Sequence, residues 1–147
     1  MIKIMLTTIS AFAIALTLSP TAAKASIVET YECGATKSSP PDNDRDPIVK
    51  IKLQIVISAG SNKFQSFDVD HYAASGNIYS RQDQYRDRRY WSNNKADSWS
   101  GTSVKTPSLT MVGSLKANGH YIEQQFRAGK LQGTTISACR GVEEESH

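Results

Sequence analysis

Val49-Lys50-Ile51-Lys52-Leu53-Gln54-Ile55-Val56-Ile57 alternates apolar and polar side chains with a period of two. Val49, Ile51, Leu53, Ile55 and Ile57 fall on one face and Lys50, Lys52 and Gln54 on the other, with Val56 the only apolar residue on the outer side. A helix would gather every third or fourth residue instead, so this stretch predicts a half-buried β-strand.

The same reading extends in both directions. Upstream, Ile27, Glu29, Tyr31 and Cys33 alternate with Val28, Thr30 and Glu32, a first strand. Between the two lies Ser38-Ser39-Pro40-Pro41-Asp42-Asn43-Asp44-Arg45-Asp46-Pro47, whose prolines and short polar residues predict a loop. Downstream, Gly60-Ser61-Asn62 makes a turn before a strand over residues 64–69. Residues 98–105, carrying Trp99, then 109–116, 120–127 and 131–139 read as further strands. Asn118-Gly119 and Ala128-Gly129-Lys130 supply the turns between the last three, and Asn-Gly tolerates the positive φ that tight hairpins require. Residues 81–90, R-Q-D-Q-Y-R-D-R-R-Y, have fair helical propensity, yet the turn-like Gly76-Asn77 and Asn93-Asn94 on either side favour strand or loop. The expected fold is all-β, an antiparallel meander of about eight strands closed as a small barrel or sandwich.

The chain holds two cysteines, Cys33 on the first strand and Cys139 on the last. A disulfide between them would draw the two ends of the sheet together, which favours a closed or nearly closed barrel. A compartment that permits the bond is indicated by the first 25 residues. Lys3 is followed by a mostly apolar run over residues 4–18, then Pro20, and Ala23-Lys24-Ala25 places small residues where a signal peptidase reads them. The run is about 15 residues, short of the roughly 20 that span a bilayer as a helix. Residues 1–25 are therefore expected to be a cleavable signal helix, 26–142 a single β-rich domain and 143–147 a disordered acidic tail. No stable membrane insertion is expected after cleavage, and in a periplasmic or secreted setting the cysteine pair is expected to bond.

Cleavage changes the charge. The whole chain has 17 Lys and Arg against 14 Asp and Glu; without Lys3 and Lys24 the balance is 15 to 14, a net +1. Composition thus gives no support for nucleic-acid binding.

Candidate chemistry fails on spacing. Asp42-Asn43-Asp44-Arg45-Asp46 opens like a calcium loop, but Pro47 and Leu53 stand where that loop needs glycine and a bidentate acid. Asp68 and Asp70 share one face of a strand and His71 the other, so they cannot ligate one ion. His120 falls in a turn and His147 in the tail. No G-x-S-x-G elbow, paired Cys-x-x-Cys or phosphate-cradling glycine motif is present. No cofactor, metal or catalytic residue is expected. Residues 79–91 stand apart, with Arg81, Arg86, Arg88 and Arg89 among Tyr79, Tyr85, Tyr90 and Trp91. Arginine forks beside aromatic platforms are enriched where proteins grip partners and anionic groups. Arg81, Tyr85, Arg86, Arg88, Arg89, Tyr90 and Trp91 are the candidate binding residues; the competing reading is a charged edge strand with its aromatics packed on the core. Trp99 is expected to plug the core.

Tyr31-Glu32-Cys33 at the start and Ser137-Ala138-Cys139 at the end give the chain a plan that resembles the small periplasmic lysozyme inhibitors of bacteria. The resemblance implies inhibitor-like binding of a protein through a Ser-Gly-x-x-Tyr-like loop. Ser58-Ala59-Gly60-Ser61-Asn62-Lys63-Phe64 is only a loose counterpart, in a different part of the chain. The plan also resembles lipocalin-like barrels, without their Gly-x-Trp opening. The leading expectation is a non-enzymatic exported domain that binds a protein or an anionic envelope component. The alternatives are a lipocalin-like carrier of a small apolar ligand, with a cavity lined by residues such as Ile55, Leu109 and Met111, and a hydrolase without a known motif.

Overall fold

The computed structural model describes residues 26–39, 45–58 and 64–142. The signal over 1–25, the 42–44 part of the calcium-like loop, the 60–62 turn and the 143–147 tail lie outside these residues. Among the described residues, nine strands and one helical turn follow in order: β1 (Ile27–Ser39), β2 (Ile48–Ile57), β3 (Phe64–Ala73), β4 (Ile78–Ser80), α1 (Arg81–Gln84), β5 (Tyr85–Asn93), β6 (Ala96–Ser103), β7 (Leu109–Lys116), β8 (His120–Arg127) and β9 (Lys130–Val142). Every ladder is antiparallel, and the sheet runs β4-β3-β2-β1-β9-β8-β7-β6-β5. It curls into a half-barrel. The outermost strands β4 and β5 are joined by the four residues of α1, so the chain itself holds the two edges near each other.

Cys33 and Cys139 are direct partners in the β1–β9 ladder and are bonded to each other. The disulfide therefore clasps two strands already paired by backbone hydrogen bonds. β1 runs further than its alternation foretold: Ser38 and Ser39, expected in the loop, pair with Thr135 and Thr134. A register shift between Gly34 and Lys37 lets the strand continue, and β9 likewise extends past Cys139 to Val142. His120 opens β8, as the reading of 120–127 as a strand expects and not as a turn residue; its N–H donates to Asn118 Oδ1, and Gly119 turns the chain at φ 86°.

The alternating face of β2 builds one wall of the core. Ile51, Leu53 and Ile55 are wholly buried, opposite Phe67 and Val69 of β3, which are equally buried. Val49 departs from the expected pattern and is 58% exposed. A register shift between Ile48 and Lys50 turns the start of the strand, so Ile48 packs on the core in its place. Trp99 of β6 plugs the opposite side with no exposed surface, its indole edge-on to Tyr85. Gly113 on β7 is required beneath it, because a Cβ there would lie 2.1 Å from Trp99 Nε1 and 2.5 Å from the Tyr121 hydroxyl.

Residues 81–90 split between the two readings. Arg81–Gln84 form one helical turn, and its continuation stops where Tyr85 returns to extended φ. β5 then carries a register shift between Arg86 and Arg89, with Asp87 in the left-handed region at φ 52°. Such a bulge bends the strand and re-aims its side chains.

Candidate functional site

The arginine- and tyrosine-rich segment does not act as one surface. Arg81 and Tyr85 turn inward; Tyr85 is buried against Trp99, and Arg81 reaches across the interior to β8. Arg88 lies in the gap between β5 and β3. It donates from Nη2 to the Phe67 carbonyl and from Nη1 to Asp68 Oδ1 at 3.3 Å, while its guanidinium stands 5.2 Å from both the Tyr90 and Trp99 rings. Its buried Nε has no hydrogen-bond partner among the described residues. Tyr90 is half-buried beside it. Arg86, Arg89 and Trp91 face solvent. The bulge separates these fates, because without it Arg86, Arg88 and Tyr90 would share one face.

Outside, Arg89 lines a groove of about 580 Å³ with Asp87, Ser100, Thr102, Thr110 and Val112. Arg86 has Asp87 at 3.8 Å, an exposed pair of little energetic weight. The groove offers the Arg89 guanidinium, the Asp87 carboxylate and three hydroxyls for hydrogen bonding, and Trp91 adds an exposed ring on the same strand.

Inside, a second polar cluster joins three elements. Glu123 of β8, 3% exposed, accepts from His71 Nε2 of β3 (3.0 Å), the Tyr121 hydroxyl (2.9 Å) and Arg81 Nε (3.3 Å) at Oε1, and from Arg81 Nη2 (2.9 Å) at Oε2. Tyr121 in turn accepts from Trp99 Nε1 at 2.9 Å. Burial pushes the Glu123 carboxyl up, but the Arg81 charge, His71 and their hydrogen bonds outweigh it and hold the group well below the usual carboxylate range. Glu123 is thus an anion, so the His71 nitrogen facing it must be the N–H donor. Burial and the neighbouring Glu123 raise the Tyr121 phenol well above its ordinary value, which keeps it a neutral donor.

His71 and Arg81 form the floor of an open cleft of about 520 Å³ at one mouth of the half-barrel, rimmed by Thr36, Lys37, Ser38, Pro47, Ile48 and Thr135. Thr36 bonds Ser137 and Ser38 bonds Thr135, hydroxyl to hydroxyl, at 3.0 and 3.3 Å. The interior is therefore apolar around Leu53, Ile55 and Phe67 and polar toward this mouth.

Arg81 belongs to the segment picked out from sequence, but its partners Glu123, Tyr121 and His71 do not. His71 had a signal: it shares its face with Phe67 and Val69, so alternation alone carries it inside. Glu123 had a weaker one, as the residue two positions from Tyr121 on a strand whose other face holds Ile122 and Gln124. Asp68 and Asp70 lie opposite His71, as alternation predicts; Asp68 pairs with Arg88, and Asp70 accepts from Ser80 and Gln82. No group of three or more metal-ligating side chains occurs among the described residues. The chain matches no protein-family model, no curated protein and no solved structure.

Proposed function

We propose that this chain is an exported, non-enzymatic binding domain that holds an anionic envelope component, or an acidic protein face, on the outer side of β5. The observation that carries this reading is the division of the arginines. Arg81 and Arg88 are neutralised by Glu123 and Asp68, whereas Arg89 points into a hydroxyl-lined outer groove with no ion-pair partner among the described residues. Guanidinium, hydroxyls and an exposed tryptophan on one face suit a carboxylated or phosphorylated glycan. The Cys33–Cys139 bond supports an oxidising, non-cytoplasmic setting. No helix among the described residues is long and apolar enough to cross a membrane. A carrier of an apolar ligand is less favoured, because Trp99, Tyr121, Phe67, Leu53 and Ile55 occupy the interior space such a ligand would need. A hydrolase is less favoured because both cysteines are bonded and no hydroxyl bonds His71 among the described residues.

Titration with a soluble polyuronate tests the reading. Saturable binding that weakens with salt is expected, and Arg86→Ala with Arg89→Ala should reduce affinity at least about tenfold, the loss of one charge-assisted hydrogen bond or more. Equal binding by the wild type and the double variant would remove the site.

A further inference from the structure

The geometry points to a second site: we propose that the mouth floored by His71 and Arg81 binds a small oxyanion, a carboxylate or phosphate group carried on a short apolar stem. None of its lining residues belongs to the groove beside Arg89, so it stands independently of the function proposed above.

Donors line this cleft, and no carboxylate is among its described lining residues. Thr36, Ser38 and Thr135 contribute hydroxyls, while Lys37, paired with the exposed Ile136, turns toward the outer face at the rim. Arg81 has five N–H groups, of which Nε, one on Nη2 and one on Nη1 are taken by Glu123 and Gln84, leaving two. The described acids nearest to it accept hydrogen bonds elsewhere. Glu123 lies beneath the floor with both oxygens occupied, and Asp46, next to the rim residue Pro47, accepts from the Ser75 N–H and hydroxyl. Arg81 and Glu123 offset each other, so recognition here rests on the remaining Arg81 N–H groups and the hydroxyls and not on an excess of positive charge. Pro47 and Ile48 form one apolar wall, which accommodates the stem of the ligand. The volume falls within the range of small-ligand clefts. A buried Glu–Arg–His cluster is costly to desolvate, and apolar residues of similar size would pack there at less expense. Its place directly under an open cleft fits a cluster that holds Arg81 rigid as part of the floor.

NMR titration of the intact disulfide-bonded domain decides the matter, following the His71 ring nitrogens and Arg81 Nε. Propionate and inorganic phosphate are the probes, each against chloride at equal ionic strength. Saturable shifts at both residues are expected with at least one probe. Shifts with propionate alone assign a carboxylate ligand, and shifts with phosphate alone assign a phosphoryl ligand. Thr135→Val, which removes one lining hydroxyl with little change of shape, should weaken binding about threefold to tenfold. Arg86→Ala with Arg89→Ala should leave it unchanged. Unsaturable shifts with both probes, or full affinity in Thr135→Val, would overturn the proposal.

Discussion

Where β1 meets β9 the wall of the half-barrel is a backbone ladder with a disulfide across it, whereas between β3 and β5 side chains span the gap. β4 covers β3 only at Asp70, His71 and Tyr72. Beyond that point Val69 N–H donates to Gln82 Oε1 and the Phe67 carbonyl accepts from Arg88. Two polar side chains thus stand in for the missing neighbour strand. The first closure pairs groups that every residue possesses; the second needs two particular side chains at two particular places. Both satisfy the backbone, but the second is held by fewer bonds, and local opening should begin there.

Removing the covalent clasp should have the largest effect. Cys33→Ala with Cys139→Ala releases a loop of 106 residues and should cost about 4–5 kcal/mol of unfolding free energy in the chain-entropy account, read by denaturant melting. The β1–β9 amides should still exchange slowly, because the ladder remains. Rapid exchange there would show that the disulfide, and not the ladder, holds this closure.

Glu123→Ala comes next, since it strips the anchor by which Arg81 ties α1 into the interior. Leaving Arg81 and His71 without their carboxylate should cost about 3–5 kcal/mol. Acid has a related effect. The folded Glu123 carboxyl titrates below its usual value of 4.5, so its contribution is complete above that pH and is lost as the pH falls toward the folded value. Stability should therefore decline below about pH 4.5, and Glu123→Gln should flatten that decline. An unchanged acid profile in Glu123→Gln would assign the decline to other carboxylates.

Arg88→Met should have the smallest effect. It keeps the stem between Tyr90 and Trp99 but leaves the Phe67 carbonyl without its donor, a loss of about 1–3 kcal/mol. Hydrogen exchange should quicken at Val69 and along β5 before it changes along β1 or β9. Uniform acceleration across the sheet would mean that the two closures open together.

The first closure was legible in the chain and the second was not. Ile51, Leu53 and Ile55 alternate without interruption, and the limits of β7 and β8 coincide with the stretches marked by Pro107, Asn118-Gly119 and Ala128-Gly129. Two cysteines on the first and last strands leave one pairing. Nothing comparable marks Arg88. Four arginines within nine residues look alike until the bulge at Asp87 sends Arg88 to the gap and Arg89 to solvent, and that bulge has no glycine to announce it. Glu123 was hidden for another reason: a lone glutamate on a strand reads as solvent-facing until its partners on β3 and α1, 52 and 42 residues away, are in place.

The β1–β9 pairing also sets how the domain would answer a mechanical load. Thr30 faces Val142, so the chain enters and leaves along the same pair of strands, with Cys33 bonded to Cys139 a few residues further in. Tension applied at the two ends would peel only the outer part of that ladder before it reached the sulfur–sulfur bond. Everything between residues 33 and 139 lies behind that bond and would bear no stretch until it was reduced. Tethered at its ends in an oxidising space, the domain would extend by a few residues and then hold, keeping both the groove and the mouth in shape under strain.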